Sequence, residues 1–232
     1  MEAAKYQAAG EEYRRLAGEL GSRLDSMEMW EEKLDTESGA EPDVWVKSDT
    51  AVDYLRRRNP DFAFWLMIPD TRIHYPVVED KIHGYYLNHT FEGTENPAGC
   101  LFVQEEGVLN PADNIIVYGH NMKDGSMFAD LKKYIRKTYY EEHPELWLYE
   151  KNGWQRFAIF SCQIRRESDD SVYYSRFVGA EEKKKYLEEM CADSLYETGI
   201  KPECGDRLIT LSTCYGSEKR MIVQAVLLCY TE

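Results

Sequence analysis

Two β-rich runs near the C-terminal end constrain the fold of this chain more than any other feature. The first, Leu208–Cys214, ends on a cysteine, and after the five residues 215–219 an arginine, Arg220, opens the second run, 221–229. Runs joined this closely predict a β-hairpin or two neighbouring strands of one sheet. A cysteine therefore stands at the exit of one strand and an arginine at the entrance of the next.

A thiol beside a fixed cation predicts a reactive site. The cation favours the thiolate of Cys214, which is the nucleophilic form, and a guanidinium such as that of Arg220 stabilises an oxyanion. A proton-transfer group is available at His120, which follows the strand-like run 114–118. Alternation along the first run puts Ser212 and Cys214 on one face, which suits the floor of a groove.

The remainder of the chain is also rich in strands. Six further strand-like runs bring the total to eight, and they are separated by turn signals and few helices: 64–68, 72–78, 99–103, 114–118, 146–150 and 154–164. Many short strands of regular spacing are typical of a closed barrel or a sandwich. The sequence therefore predicts a mainly β fold with peripheral helices.

The N-terminal residues follow a different pattern. Over residues 1–35, apolar side chains recur every three or four positions, which is the periodicity of one helix face. Such a helix lies on the domain or associates with a second copy. Residues 38–42 form a predicted linker, so we divide the chain into an N-terminal helical stalk, 1–44, and a domain that carries the site, 45–232.

Charge argues against a nucleic-acid partner. The net charge is −14, and residues 1–43 carry 5 basic and 12 acidic side chains, which gives 5 − 12 = −7, or about half of the total. No run of apolar residues is long enough to span a membrane, and the charged N-terminus is unlike a signal peptide.

The cysteines show no metal-binding spacing, and we expect neither a metal nor a cofactor. Apart from Cys214, each cysteine is predicted to be a buried, inert thiol. These are Cys100, Cys162, Cys191, Cys204 and Cys229. The sequence leaves open whether two of them form a disulfide.

Two motifs carry a resemblance to a known family. The run 118–128 reads Tyr-Gly-His-Asn-Met-Lys-Asp-Gly-Ser-Met-Phe, and residues 210–214 read Thr-Leu-Ser-Thr-Cys, with Arg220 after them. Together they resemble the sortases, and the residues around the cysteine and after the histidine are similar to those of class B. The runs 59–69 and 75–78 resemble the start of that family's catalytic domain, so the resemblance covers about residues 45–232.

The resemblance implies an eight-stranded closed sortase-type β-barrel with peripheral helices. It also implies a cysteine transpeptidase on the outer face of a Gram-positive cell membrane. Such an enzyme cuts a C-terminal sorting signal after threonine and joins it to an amine of a cell-wall precursor or a pilin lysine. The family normally has an N-terminal membrane anchor, and we expect that this sequence is a soluble form from which the anchor was removed.

The same resemblance implies roles for individual residues. Cys214 attacks the threonine carbonyl, His120 transfers protons, and Arg220 stabilises the oxyanion or orients the substrate. The N–H of Tyr215 is expected to be a second oxyanion donor. Residues around the nucleophile are expected to contact the sorting signal: Leu87, Tyr118, Ser212, Thr213, Tyr215 and, from the segment 165–175, Tyr173.

Two other functions stay open from the sequence. A thiol hydrolase uses the same thioester but releases it to water, and a non-enzymatic adhesin or pilin-like barrel leaves Cys214 unreactive. The sorting motif, of the Asn-Pro-x-Thr or the Leu-Pro-x-Thr type, is also open, as is the acceptor amine.

Overall fold

The computed structural model describes residues 2–36, 50–104, 113–151 and 153–228, with side chains described from residue 4 to 24 in the first of these ranges. Its strands are β1 (Phe62–Met67), β2 (His74–Asp80), β3 (Leu101–Gln104), β4 (Asn114–Tyr118), β5 (Glu145–Glu150), β6 (Gly153–Arg166), β7 (Leu208–Cys214) and β8 (Lys219–Leu227). They close into a barrel in the order β1-β2-β3-β4-β7-β8-β6-β5. The predicted eight-stranded closed barrel is confirmed.

Alternate side chains along β7 point into the barrel and toward its outer face. Ile209 and Leu211 belong to the main core, whereas Leu208 packs in a second cluster outside the barrel. The outer cluster includes Tyr186 and Leu187, which lie on helix α4 (Ala180–Ala192). One face of β7 is therefore committed to the barrel core, and the other is free to carry the site at its C-terminal end.

Strand pairing sets the position of the reactive residues. β4 runs parallel to β7, with Tyr118 opposite Ser212, and β7 runs antiparallel to β8, with Cys214 opposite Arg220. Because the carboxyl ends of parallel strands meet at one rim, the segment that follows β4, with His120 two residues after the strand, emerges at the same rim as Cys214, the last residue of β7. The hairpin expected from the sequence is the β7–β8 pair.

The helices are short except at the N-terminus. Helix α1 spans Glu2–Thr36, α2 spans Ala51–Arg58, and α3 spans Lys137–Glu142. The 3₁₀ segments Tyr85–Leu87 and Phe128–Ile135 flank the barrel. Within the described part of the chain, no helix has both the length and the apolar character that crossing a membrane requires.

The caps of two helical segments can be compared with what the sequence suggests. The sequence offers Ser48 or Asp49 as the cap of α2, and both lie outside the described residues. In the structure Thr50 caps α2, because its hydroxyl accepts the N–H of Asp53. Ser126, whose position suggests a cap for the helix that follows it, does not cap that helix. Its hydroxyl donates instead to the carboxylate of Asp124 at 2.7 Å.

Helix α1 lies on the barrel, which is one of the two placements its periodicity predicts. Its buried side chains are spaced by three or four residues: Ala9, Tyr13, Leu16 and Leu20. They join the main core of the barrel. The predicted linker, 38–42, falls outside the described residues.

Candidate active site

The cysteine and the arginine meet at the last pair of the β7–β8 hairpin, next to its turn. The guanidinium of Arg220 donates through Nη1 to Sγ of Cys214, with 2.6 Å between the two atoms. Its other amino group, Nη2, donates to the carboxylate of Glu167, which follows the end of β6. One planar cation thus bridges the thiol and a carboxylate, which fixes the direction from which it faces the sulfur.

The histidine reaches the same rim from β4. Gly119 extends the parallel pairing, since its N–H donates to the carbonyl of Ser212 at 3.2 Å, and its own carbonyl accepts the hydroxyl of Thr213 at 2.7 Å. The next residue, His120, lines the same cleft as Cys214. An amide of Asn121 donates to the carbonyl of Cys214 at 2.9 Å, which ties the two chain segments together beyond the strands.

The orientation of the imidazole is set by a backbone carbonyl. Nε2 of His120 lies 2.8 Å from the carbonyl oxygen of Leu87, in the 3₁₀ turn Tyr85–Leu87. A carbonyl oxygen can only accept, so Nε2 carries the hydrogen of this bond. Nδ1 is the nitrogen left to exchange a proton with a substrate or with the thiol.

A cleft of about 410 Å³ surrounds these groups. Most of the residues predicted from the sequence line it: Leu87, Tyr118, His120, Tyr173, Ser212, Cys214 and Arg220. Phe102, Gly119, Glu167 and Asp170 complete the lining. The structure therefore gathers residues from separate chain segments into one groove, and Cys214 is part of its lining.

Aromatic rings form one wall of the cleft. The ring of Tyr118 lies between Phe102, at 5.5 Å, and Tyr173, at 5.7 Å between centroids. The hydroxyls of Tyr173 and Ser212 are hydrogen-bonded at 2.9 Å. Burial raises the pKa of Tyr118 to about 12 and also raises the pKa of Tyr173, so both phenols stay neutral.

The segment that carries Tyr173 is held against the barrel by buried hydrogen bonds. Nδ2 of Asn114 donates to the carbonyl of Tyr174 at 3.0 Å, and the hydroxyl of Tyr186 donates to the carbonyl of Val172 at 3.0 Å. These bonds tie the residues on both sides of Tyr173 to β4 and α4. Tyr173 is therefore a fixed part of the cleft wall.

Two of the residues predicted to contact the sorting signal, Thr213 and Tyr215, do not line the cleft. Thr213 alternates with its neighbours on β7, is 1% exposed and faces away from the cleft. The side chain of Tyr215 packs against the main core. The N–H of Tyr215 is not a free oxyanion donor either, because it donates to the carbonyl of Lys219 at 2.8 Å in the β7–β8 turn.

Sequence reasoning missed two residues that hold the site. Glu167 was missed because the pairing of β6 with β8 brings together residues far apart in the chain. Asn121 lies inside the histidine motif and was given no role, although an amide next to the histidine is a signal that could have been followed. Glu167 accepts a hydrogen bond from Arg220, and Asn121 donates one to the carbonyl of Cys214.

The remaining cysteines only partly match the expectation of buried thiols. Cys100 and Cys162 are buried, and burial raises the pKa of each thiol, in Cys162 to about 12. The prediction was wrong for Cys191, which is exposed, and for Cys204, which is half-buried, while Cys229 lies outside the described residues. Among the side chains that are described, no cluster of three or more potential metal ligands occurs.

Comparisons with known proteins agree on one family. A family model described as a sortase domain matches residues 66–228. Sortase B of Listeria monocytogenes is 37% identical over 180 residues, which cover 75% of this chain and 72% of that protein. The crystal structure of Clostridium perfringens sortase B is 34% identical with a TM-score of 0.72, and the match covers 76% of this chain and 98% of that one. A crystal structure of sortase B complexed with triglycine is 27% identical with a TM-score of 0.73, over 78% of this chain and 86% of that one.

Proposed function

Because this chain belongs to the sortase family, and within it to class B, we propose that it cuts a sorting signal after threonine and transfers the new acyl end to an amine. Membership makes the protein a cysteine transpeptidase of cell-wall sorting in Gram-positive bacteria. The cleavage position, the signal and the acceptor are our proposal. The contact of 2.6 Å between Arg220 and the Cys214 sulfur, on the rim that also carries His120, is the observation that supports it.

In the first half-reaction, the thiolate of Cys214 attacks the carbonyl carbon of the threonine. The negative charge that develops on the carbonyl oxygen is stabilised by an N–H of Arg220, which is already directed at the reacting sulfur. His120 then gives a proton to the departing amine, and the carbon–nitrogen bond breaks. The signal remains on the enzyme as a thioester of Cys214.

In the second half-reaction, an amine replaces the thiol. Nδ1 of His120 accepts a proton from the incoming amine while the nitrogen attacks the thioester carbonyl. The carbon–sulfur bond breaks, and Cys214 returns as the thiolate beside Arg220. A histidine suits both directions of proton transfer because its unperturbed pKa is about 6.5.

The partners follow from these two steps. We propose that the cleft binds the sorting signal of a secreted surface protein along Leu87, Tyr118, Tyr173 and Ser212. The acceptor is an amine of a cell-wall precursor or a pilin lysine. The complex of a related sortase B with triglycine supports an amine in the second step. The protein then acts at the outer face of the cell membrane.

We further propose that residues 45–232 are the catalytic domain and that residues 1–44 form an extension. All eight strands and every residue that lines the cleft lie in the larger part. The buried face of α1 against the barrel makes the extension a packed part of the fold over its described side chains.

Mass spectrometry of a reaction mixture tests the function. The protein is incubated with Asn-Pro-x-Thr and Leu-Pro-x-Thr peptides and with triglycine as the acceptor, beside the variant Cys214→Ala. We expect a product that joins the peptide through its threonine to triglycine, and no product with the variant. Cys214 is exposed, so the variant should keep its stability within about 0.5 kcal/mol.

Other products would change the assignment. Cleavage after threonine without ligation, at saturating triglycine and with other amines, would indicate a hydrolase. Ligation that persists in Cys214→Ala would remove Cys214 from the mechanism. An absence of both cleavage and a covalent adduct on Cys214 would contradict the proposed reaction.

A further inference from the structure

The catalytic histidine is held by backbone groups on two sides. On one side, Leu87 accepts the hydrogen of Nε2 at 2.8 Å. On the other, the carbonyl of His120 accepts the N–H of Phe128 at 2.9 Å, and Asn121 pairs with Met127 in an isolated bridge. Both supports lie outside the barrel strands, so the rigidity of the barrel alone does not fix the imidazole.

The support on the Leu87 side rests on Gly99. A Cβ added to Gly99 would lie 2.4 Å from the carbonyl oxygen of Tyr86 and 2.8 Å from that of Leu87, so only glycine permits this approach. Its φ of +61° also favours glycine. The next residue, Cys100, donates its N–H to Tyr86 at 2.9 Å. A displacement of residues 99–100 therefore moves the carbonyl that holds His120.

Gly99 is in turn held by helix α1. The hydroxyl of Tyr13 donates to the carbonyl oxygen of Gly99 at 2.5 Å, in a contact between residues 86 positions apart in the chain. Tyr13 is 4% exposed. Burial raises the pKa of its hydroxyl well above the ordinary value, so the group stays protonated and remains a donor.

The ring of Tyr13 also contacts the second support. It packs edge-on against Tyr75, with 5.2 Å between ring centroids. The hydroxyl of Tyr75 accepts the N–H of Met127 at 3.1 Å, and Met127 pairs with Asn121. One side chain on α1 therefore lies behind both segments that hold the histidine.

We propose that Tyr13 is a positioning residue for His120, and that the packed helix α1 is part of the apparatus that keeps the imidazole in its reactive orientation. Tyr13 acts through Gly99 and the carbonyl of Leu87 on one side, and through Tyr75 and Met127 on the other. The kinetic part of this inference rests on the proposed function. Misplacing a catalytic group by about 1 Å can cost on the order of 10²-fold in rate, even when the change lies far from the chemistry.

The interface of α1 offers a matched control at Tyr54. This residue lies next to α1 and uses its hydroxyl in the same way, since it donates to the carboxylate of Glu19 at 2.8 Å. Arg58 bonds the same carboxylate at 2.8 Å, so this part of the interface keeps a direct ion pair when the hydroxyl is removed. The hydroxyl of Tyr54 is thus engaged within the interface of α1 and α2, away from Leu87 and Met127.

The first test compares Tyr13→Phe with Tyr54→Phe in the full chain. We expect kcat for ligation to fall about tenfold in Tyr13→Phe, within the range that a displacement below 1 Å explains. KM for the peptide should change less than kcat, because Leu87 is the one residue proposed to bind the signal that lies on the displaced segment. Tyr54→Phe should keep both constants. Equal kcat values in Tyr13→Phe and the wild type, or equal losses in the two variants, would overturn the proposal.

The second test needs no activity. NMR of the protein with ¹⁵N-labelled histidine, with the signals of His120 assigned by their loss in His120→Asn, reports which ring nitrogen carries the hydrogen. We expect a hydrogen on Nε2 in the wild type, and a weakened or shifted Nε2–H signal in Tyr13→Phe but not in Tyr54→Phe. Signals of His120 that are identical in all three proteins would overturn the positioning role.

The two tests separate this inference from the proposed function. If the wild type ligates no peptide but its His120 signals respond to Tyr13→Phe, the reaction is wrong and the positioning stands. If the wild type ligates and Tyr13→Phe changes neither kcat nor the signals, the reaction stands and the positioning is wrong.

Discussion

Arg220 is the residue in which charge and geometry are most closely linked. Its two terminal amino groups have different partners, the sulfur of Cys214 and the carboxylate of Glu167. Glu167 is half-exposed, so the ion pair itself adds little to stability. Its effect is to hold the plane of the guanidinium, and this plane determines which N–H faces the sulfur and, in the proposed mechanism, the oxyanion.

We predict that Arg220→Lys loses most of the ligation activity. A lysine keeps the charge but has one compact ammonium, which cannot bond the sulfur and the carboxylate through separate groups of a rigid plane. The loss of one oxyanion donor typically costs on the order of 10²–10³ in kcat. The measurement is kcat with the ligated peptide and triglycine.

Arg207→Lys is the matched control for this change. Arg207 pairs with Glu150 at 2.9 Å, and it precedes β7 at the end opposite to Cys214. Its replacement should leave kcat unchanged. A near-normal rate in Arg220→Lys would show that ligation does not require the planar guanidinium of Arg220.

At the scale of elements, the parallel pair β4–β7 determines the distance between histidine and cysteine. Gly119 sits where β4 ends, and a Cβ there would lie 2.3 Å from Cδ2 of Leu101 and 2.7 Å from Cδ2 of Phe128. Both neighbours are fully buried, so they have little room to move. The absence of a side chain at Gly119 lets the chain turn from the strand to His120 against the core.

We predict that Gly119→Ala is destabilising by about 1–3 kcal/mol, as expected for an extra methyl in a packed core. Its ligation rate should also fall, because relief of the clash displaces the adjacent His120. The measurement is the urea midpoint of unfolding, at unchanged m-value.

Gly205→Ala serves as the comparison. A Cβ at Gly205 meets nothing within 4 Å. Its free energy of unfolding should therefore change by no more than about 0.5 kcal/mol. Equal stability of Gly119→Ala and Gly205→Ala would mean that the core around His120 adapts freely.

The elements also show where sequence reasoning succeeds. The strand β7 was predictable because its alternation and its terminal cysteine are local, and the motif around His120 is specific. The orientation of the imidazole was not predictable, because the carbonyl of Leu87 reaches it through tertiary structure and backbone groups leave no trace in the sequence. Tyr13 looked like any other member of an apolar helix face for the same reason.

At the scale of the whole molecule, the free energy of unfolding depends on pH through the half-buried His74. The residue lies at the start of β2, with its ring 5.4 Å from that of Trp65. Burial lowers the pKa of His74 below its ordinary value. In the unfolded chain a histidine has a pKa of about 6.5, so the unfolded state binds more protons between the folded pKa and about 6.5.

We therefore predict that His74 makes the protein less stable as the pH falls below about 6.5, and that this loss continues down to the folded pKa. Thermal unfolding at a series of pH values on either side of about 6.5 tests it. His74→Gln should lose less in Tm over this range than the wild type.

His83→Gln changes an exposed histidine instead and should follow the wild type. If Tm depends on pH in the same way in the wild type and in His74→Gln, the burial of His74 does not make the protein less stable at low pH.

The order of the strands determines when the active site can form as the chain folds. β7 and β8 are inserted between β4 and β6, so a chain that is still being synthesised has two open sheet edges until its last two strands arrive. The thiol meets its arginine only after β8 has paired, and it meets the histidine only when β7 lies beside β4. A chain in which β8 has not paired therefore lacks the contact between Arg220 and the Cys214 sulfur, so the site is complete only when both C-terminal strands are in the barrel.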